Sequence, residues 1–225
     1  MSSAPYSDLV ARHGLSPAHA LLLAAVPDGS RVLDVGCATG YLGGILLERG
    51  CAVSGVEADV EAAAQAPFPV QVGDLADTAL RAGLGRPFDA ILCGDVLEHL
   101  SDPAATLGWL AGLLSAEGVV VVSVPNVAHW TGRRALIRGR FPQEDHGLFD
   151  RTHLRWFTRS SARALVESTG LTVVAEDFTP APLPLQARIP ALARLETRAL
   201  RARPELFALQ VVLTARRGDR RPGAS

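Results

Sequence analysis

Two groups of side chains in this sequence have the types and spacing that do chemistry. The first is Asp34-Val35-Gly36-Cys37-Ala38-Thr39-Gly40, a glycine-bearing turn between a β-branched run and a helical pattern. Two further acids, Glu57 and Asp74, close later apolar runs. Small residues let a backbone lie close against a ligand, and strand-end carboxylates accept hydrogen bonds from its hydroxyl or amino groups. The second group is the string from 146 to 158, dense in His146, Asp150, Arg151, Thr152 and His153, with Glu98-His99 upstream. Imidazole is partly neutral near pH 7, so a positioned histidine can take a proton from a reacting hydroxyl. His153 is the first choice for this base, with Asp150 fixing its tautomer, and His99 is the second; the competing readings are a polar clasp of Asp150, Arg151 and His153 that holds this segment in place, and a packing role for His99.

What the loop binds is narrowed by what the chain lacks. All 22 basic residues are arginine. Without lysine there is no Schiff base, no lysine general base and no G-x-x-x-x-G-K phosphate loop. A dinucleotide loop of the G-x-G-x-x-G kind fails at Ala38, two residues after Gly36. The pattern left is D-x-G-x-x-x-G, which suits a ligand without phosphate.

The net charge of −1 conceals opposed halves. Residues 1–128 hold 5 arginines against 14 acids, and residues 129–225 hold 17 against 9. A whole-chain basic signature for nucleic acid is missing, while a local surplus for an anionic ligand or surface is present. Cys37, Cys51 and Cys93 are an odd number without a C-x-x-C pair, which fits a reducing cytoplasm better than a disulfide framework. No signal peptide is visible. The longest uncharged stretches fall short of the roughly 20 residues a membrane-spanning helix needs.

The elements that must carry these groups alternate along the chain. Strands are expected at 31–35, 52–56, 70–72, 88–93 and 118–124, with helices at 41–49, 59–66, 75–83 and 103–115 between them. Asp102 caps the last of these helices and Pro103 opens it. Near-continuous apolar strands alternating with helices predict an α/β fold, with a parallel sheet buried on both faces. Residues 126–158 have no clean period and read as an insertion over one end of the sheet. A helix at 159–169, strands at 171–178 and 207–215, and a basic amphipathic helix at 186–203 complete a single domain over 1–215. The polar tail 216–225 is expected to be disordered.

Four pieces then stand in order at strand ends. They are Val32-Leu33-Asp34-Val35-Gly36-Cys37-Ala38-Thr39-Gly40, the Glu57 that ends the second strand, Gly73-Asp74-Leu75, and the run from Phe88 through Cys93-Gly94-Asp95-Val96-Leu97-Glu98-His99 to Asp102-Pro103. Over residues 28–178 the chain resembles the class I S-adenosylmethionine (SAM)-dependent methyltransferases. The likeness is to the small-molecule enzymes of the ubiquinone-biosynthesis type (methyltransferase types 11 and 23). The resemblance implies a Rossmann-like, mostly parallel seven-stranded sheet flanked by helices, with SAM as cofactor and S-adenosylhomocysteine (SAH) as product. Asp34, Gly36, Cys37 and Gly40 then line the methionine portion, and Glu57, with Ala58 beside it, accepts the ribose hydroxyls. Asp74 and Leu75 meet the adenine, while Cys93, Gly94 and Asp95 pack beside the cofactor. The implied reaction is in-line methyl transfer to a small-molecule acceptor, at oxygen, with a histidine base. No metal is expected, although Glu98 stands where some relatives of this type use acids to bind a divalent ion.

Other readings stay open. One is a SAM-binding partner subunit without catalysis; another is an enzyme acting on RNA or protein. Against RNA, the fourth strand lacks an Asn/Asp-Pro-Pro-aromatic sequel. If Arg133, Arg134, Arg138 and Arg140 point into the cleft, the acceptor is anionic, and Asn126 is a further candidate to face it. His13 and His19 are assigned surface or lid roles. The helix at 186–203 reads as packing or homodimer surface rather than a membrane contact.

Overall fold

Along the central strands, successive residues bury to opposite faces, which is why they read as unbroken apolar runs. Val32, Ala90, Leu92, Val119 and Val121 join the core on one side of the sheet; Leu33, Ile91, Cys93, Val120 and Val122 join the core on the other. The structure, a computed structural model, describes residues 14–85, 87–181 and 191–218. Its strands are β1 (Arg31–Val35), β2 (Ala52–Glu57), β3 (Val70–Val72), β4 (Phe88–Gly94), β5 (Leu114–Pro125), β6 (Leu171–Pro180) and β7 (Ala208–Arg217). Its helices are α1 (Pro17–Ala24), α2 (Tyr41–Glu48), α3 (Val60–Ala63), α4 (Thr78–Gly83), α5 (Pro103–Ala111), α6 (Trp130–Ile137), α7 (Arg159–Ser168), α8 (Ala191–Ala202) and α9 (Pro204–Phe207).

The sheet order is β3-β2-β1-β4-β5-β7-β6. β1 to β5 run parallel, and β7 slots antiparallel between β5 and β6. The expected seven-stranded, mostly parallel α/β sheet is therefore present. Register aligns Val35 with Val56 and Cys93, Glu57 with Val72, and Gly94 with Ser123, so the carboxyl ends of the five parallel strands form one rim. Ligands of open α/β sheets bind at such a rim, where the strand order reverses on either side of β1 and β4.

Several element boundaries differ from expectation, each for a local reason. α3 stops at Ala63 rather than 66 because Pro67 bars a helical residue before it. α4 starts at Thr78, not 75, because the Asp77 carboxylate caps it by accepting the Ala79 N–H (2.8 Å). α5 ends at Ala111 with Gly112 as C-cap, and residues 114–117, expected in the helix or a loop, already belong to β5, where Leu114 pairs with Phe88. α8 runs Ala191–Ala202; the residues 186–190 expected in the same helix lie outside the described residues. β7 extends to Arg217, so Arg216 and Arg217 of the expected tail are strand, and 219–225 lie outside the described residues.

The insertion after β5 is built rather than loose. α6 crosses it, and its Gly132 packs so closely on the Val127 carbonyl and Leu148 that a side chain would not fit. Backbone N–H groups of Leu154 and Arg155 both donate to the Glu98 carbonyl (2.8 and 3.1 Å). The Arg155 guanidinium adds bonds to the carbonyls of Leu100 and Ser101. The insertion is thus clasped to the turn that follows β4.

Candidate active site

The loop after β1 is tied to β2 from both ends. Gly36 and Cys37 donate to the Val56 carbonyl (2.8 and 3.2 Å), and Ala38 donates to Glu57 Oε2 (2.8 Å). Gly36 (φ 68°) and Ala38 (φ 50°) both lie in the left-handed region. A Cβ on Gly36 would sit 2.7 Å from Val96 Cγ2, so here the backbone itself forms the wall. The second Glu57 oxygen accepts the Asp59 N–H (2.9 Å). One buried carboxylate therefore fixes the loops after β1 and β2 together.

The turn after β4 is held from farther away. Asp95 also has left-handed backbone (φ 54°). Its carboxylate accepts from Gln210 Nε2 on β7 (2.7 and 2.9 Å) and from the Ser123 hydroxyl on β5 (3.2 Å). Burial pushes the Asp95 carboxyl up in pKa, and these hydrogen bonds pull it back. Gly94 beside it leaves room for Leu22 of α1, whose Cδ1 a Cβ there would meet at 2.8 Å.

These ends enclose a cavity of about 520 Å³. Among the residues expected to hold the cofactor, Gly36, Glu57, Ala58, Asp74, Leu75, Gly94 and Asp95 line it. Asp34, Cys37, Gly40 and Cys93 do not; Cys37 and Gly40 belong to the loop itself, and Asp34 and Cys93 lie in the strands below it. Asp34 lies within β1, accepts the Gly43 N–H, and has Oδ2 buried without a partner among the described residues. Burial, with the neighbouring Glu57 charge, raises its pKa to about 7. Gly40 packs on Ala66 and Pro67, and Cys37 on Gly55. Burial also pushes the Cys37 and Cys93 thiols up, out of reach of nucleophile chemistry.

On the acceptor side the two expected histidines are not equivalent. His99 lines the cavity; His153 is buried behind it, the rings meeting edge-on at 4.9 Å. His99 Nδ1 lies 3.2 Å from both the carbonyl and the hydroxyl of Thr152, and that hydroxyl donates to Asp150 Oδ1 (2.6 Å). Burial would raise the Asp150 carboxyl, but the Thr152 hydroxyl and N–H hold it below its usual value. Burial and His99 lower the pKa of His153. Glu98 is buried with both carboxylate oxygens unpartnered among the described residues, and burial, then Asp95, raises its pKa well above the usual range. Ligand atoms of Glu98, His99 and His153 lie within 4.8 Å of one another, a donor set suited to a divalent ion.

Sequence reading missed Tyr41 in the lining and gave His19 only a surface or lid role. Tyr41 and His19 both face the cavity. His19 Nδ1 accepts the Ser16 N–H (3.2 Å), so Nε2 carries the proton toward the Tyr41 hydroxyl (3.2 Å), and Tyr41 keeps its own proton to donate. The position of Tyr41, first in the helix after the glycine loop, was the available signal. Thr152 gave none. Asn126 does not face the acceptor: it is fully buried and donates to the carbonyls of Glu205 and Ala208, tying β5 to the start of β7. No arginine lines this cavity among the described residues. A smaller cavity of about 260 Å³ adjoins it through Asp74, His99 and Leu100.

A strand order with β7 antiparallel between β5 and β6, and acids at the ends of β2 and β3 facing a glycine loop, define an α/β fold of the methyltransferase kind. Solved structures share it. A SAM-dependent methyltransferase from Archaeoglobus fulgidus superposes with a TM-score of 0.64 at 18% identity, over 93% of this chain and 98% of that one. Magnesium protoporphyrin IX methyltransferase from Synechocystis PCC 6803, solved with bound SAH, gives 0.63 at 17% identity over 96% of each chain. In sequence, the ubiquinone biosynthesis O-methyltransferase of Psychrobacter arcticus is 36% identical over 107 residues. That match covers 44% of this chain and 42% of the relative, so the chain spans less than half the length of that enzyme. The methyltransferase domain family model matches residues 10–176, and the chain belongs to that family.

Proposed function

We propose that the protein transfers the methyl group of SAM to a hydroxyl of a small molecule. The observation that carries this reading is the convergence of the Gly36 loop, Glu57, Asp74 and His99 on one cavity at the carboxyl rim of the sheet. The fit of the cofactor is supported by the bare backbone of Gly36 in the cavity wall, where Val96 leaves no room for a Cβ, and by acid acceptors at two neighbouring strand ends. Glu57 and Ala58 would hold the ribose, Asp74 and Leu75 the adenine, and Gly36 and Ala38 the methionine portion. Asp34, Cys37, Gly40 and Cys93 act by shaping the loop.

Bound SAM supplies a methyl group on a positively charged sulfur, a reactive pair that needs little help to part. The chain's own work is to place the acceptor, exclude water and remove one proton. His99 is the residue for that proton. A carbonyl can only accept, so the Thr152 carbonyl assigns the proton to His99 Nδ1 and leaves the lone pair on Nε2. Asp150 holds the Thr152 hydroxyl and so the ring's orientation. The low pKa of His153 keeps it neutral beside a His99 that gains charge. The lining carries Glu57, Asp74, Asp95, Asp145 and Asp150, which favours a neutral hydroxyl over the anionic acceptor that arginines pointing into the cleft would have implied. The O-methyltransferase name of the Psychrobacter relative supports oxygen as the accepting atom.

Titration calorimetry should give saturable SAH binding, and labelled methyl from SAM should appear in small molecules of a cell extract. Tight NAD binding without SAH binding, or label only in RNA or protein, overturns the reading. A second reading is favoured by the unpartnered Glu98: with His99 and His153 it would hold a divalent ion, which would polarise the acceptor oxygen in place of a histidine base. Dialysis against a chelator separates the two. Turnover that survives supports the His99 base; turnover lost and restored by added Mg²⁺, Mn²⁺ or Zn²⁺ supports the ion.

A further inference from the structure

The arginines of the insertion turn outward. From 133 to 141 every residue but Ala135 is exposed. Arg133, Arg134, Arg138 and Arg140 alternate there with Leu136, Ile137 and Phe141, and Ile137 is 86% accessible. The first acid after α6 is Glu144. Elsewhere in this half, arginines find carboxylates: Arg151 pairs with Asp145, Arg159 and Arg163 with Glu176, and Arg216 with Glu117. Among the described residues Arg134, Arg138 and Arg140 reach none.

The apolar members are fixed in place. The Phe141 ring meets Phe149 at 5.0 Å and the half-exposed Trp156 at 5.1 Å, both edge-on. Phe149 precedes Asp150, and Asp145, His146, Asp150 and Thr152 line the cavity. The patch therefore stands at the rim of the cavity, on the outer side of the loop that walls it. α6 has spent its buried side on Gly132, so the packing of the fold has no use for Leu136 and Ile137.

We propose that this face docks on the surface of an anionic phospholipid bilayer. Unpaired guanidinium groups meet lipid phosphates in the headgroup layer, while Ile137, Leu136, Phe141 and Trp156 enter the adjoining acyl boundary. Charge complementarity selects an anionic surface. Exposed aliphatic side chains among the arginines select a bilayer over a nucleic acid, whose backbone offers them no apolar partner. An element this short gives shallow, reversible attachment. The inference goes beyond the proposed methyl transfer and does not need it, since docking requires neither cofactor nor acceptor.

Sedimentation of the full chain with sucrose-loaded vesicles tests it. Binding is expected to vesicles of equal phosphatidylglycerol and phosphatidylcholine, not to phosphatidylcholine alone, and is expected to weaken steeply between 50 and 500 mM salt, on the order expected for screened charges. The triple variant Arg134→Ala, Arg138→Ala, Arg140→Ala should partition about 100-fold less, roughly five-fold for each charge. The double variant Ile137→Ser, Phe141→Ser should lose about ten-fold or more at unchanged net charge. Because the arginines and Ile137 are exposed, SAH affinity and melting temperature of the triple variant and of Ile137→Ser alone should stay at wild-type values; failure of SAH binding in the wild type would instead bear on the proposed activity. Equal binding to neutral vesicles overturns the proposal. So does binding indifferent to the serine pair but displaced by a duplex oligonucleotide, which marks a polyanion site. So does a dimer that the serine pair dissociates in the absence of vesicle binding.

Discussion

The loops after β1, β2 and β4 and the insertion after β5 face each other across one cavity, yet they are built by opposite rules. On the first side each acid is held by neighbours: Glu57 by Ala38 and Asp59, Asp95 by Ser123 and Gln210. Burial is deep and the backbone is forced into left-handed turns at Gly36, Ala38 and Asp95. On the second side a few contacts to the Glu98 carbonyl anchor a segment whose outer face is charged and exposed. The difference teaches that fixed backbone geometry is concentrated on the side of the strand-end acids, while the facing segment keeps an outer surface that the packing of the fold does not use.

If that division is right, single substitutions should separate binding from turnover. His99→Ala should have the largest effect, lowering turnover by about 10²- to 10⁴-fold while SAH affinity stays within about three-fold. His153→Ala should lower turnover by less. Equal losses in SAH affinity and rate would erase the distinction between the two sides. Glu57→Ala should act in the opposite sense, weakening SAH by on the order of 100-fold, as several hydrogen bonds to a carboxylate are lost. Calorimetry that returned wild-type affinity would dismiss the role given to this acid.

Asp34→Asn sharpens the contrast within the cofactor side. With a folded pKa of about 7 against a usual 3.8, Asp34 is protonated in both states at low pH. As pH rises from about 4 to 7 the unfolded chain ionises first, so the wild type loses stability across that window and the loss then levels off. Asparagine does not ionise and escapes it. The variant's melting temperature should therefore gain on wild type from pH 4 to 7 and hold the gain at pH 8. The gain across the window is expected to be about 4 kcal/mol, while the unpaired amide N–H₂ costs the variant an amount that does not change with pH. A difference constant with pH would refute the buried-acid argument. The smallest effect should come from β7: Gln210→Ala should weaken SAH by about ten-fold or less, and Gln210→Glu by more, since it sets a like charge against Asp95. Equal affinities for the two variants would mean that Asp95 does not need its partner.

Much of the fold was legible because both faces of β1, β4 and β5 are buried, leaving long apolar runs that only a covered parallel sheet explains. The short helices were less so. Their ends depend on single groups, Asp77 as a cap and Pro67 as a stop, that local pattern underweights. Within the site, Gly36, Glu57, Asp74 and Asp95 could be found because they close strands. Asp34 shared the motif but lies one residue inside β1, so it faces the core rather than the cavity. The order of His99 and His153 was not readable, because spacing along an aperiodic insertion does not say which ring lies in front. Nor was the link through Thr152, which joins residues 53 apart in sequence.

The bond between Asp95 and Gln210 spans 115 residues and crosses from the first parallel half of the sheet to its last strand. During synthesis, β1 to β5 leave the ribosome well before β7 exists. Until β7 enters between β5 and β6, the left-handed turn at Asp95 lacks its far support and β6 lacks its neighbour. The pocket is therefore among the last features to mature. A chain broken off before residue 208 would carry every cofactor-facing side chain described here and still lack the strut that sets one of them.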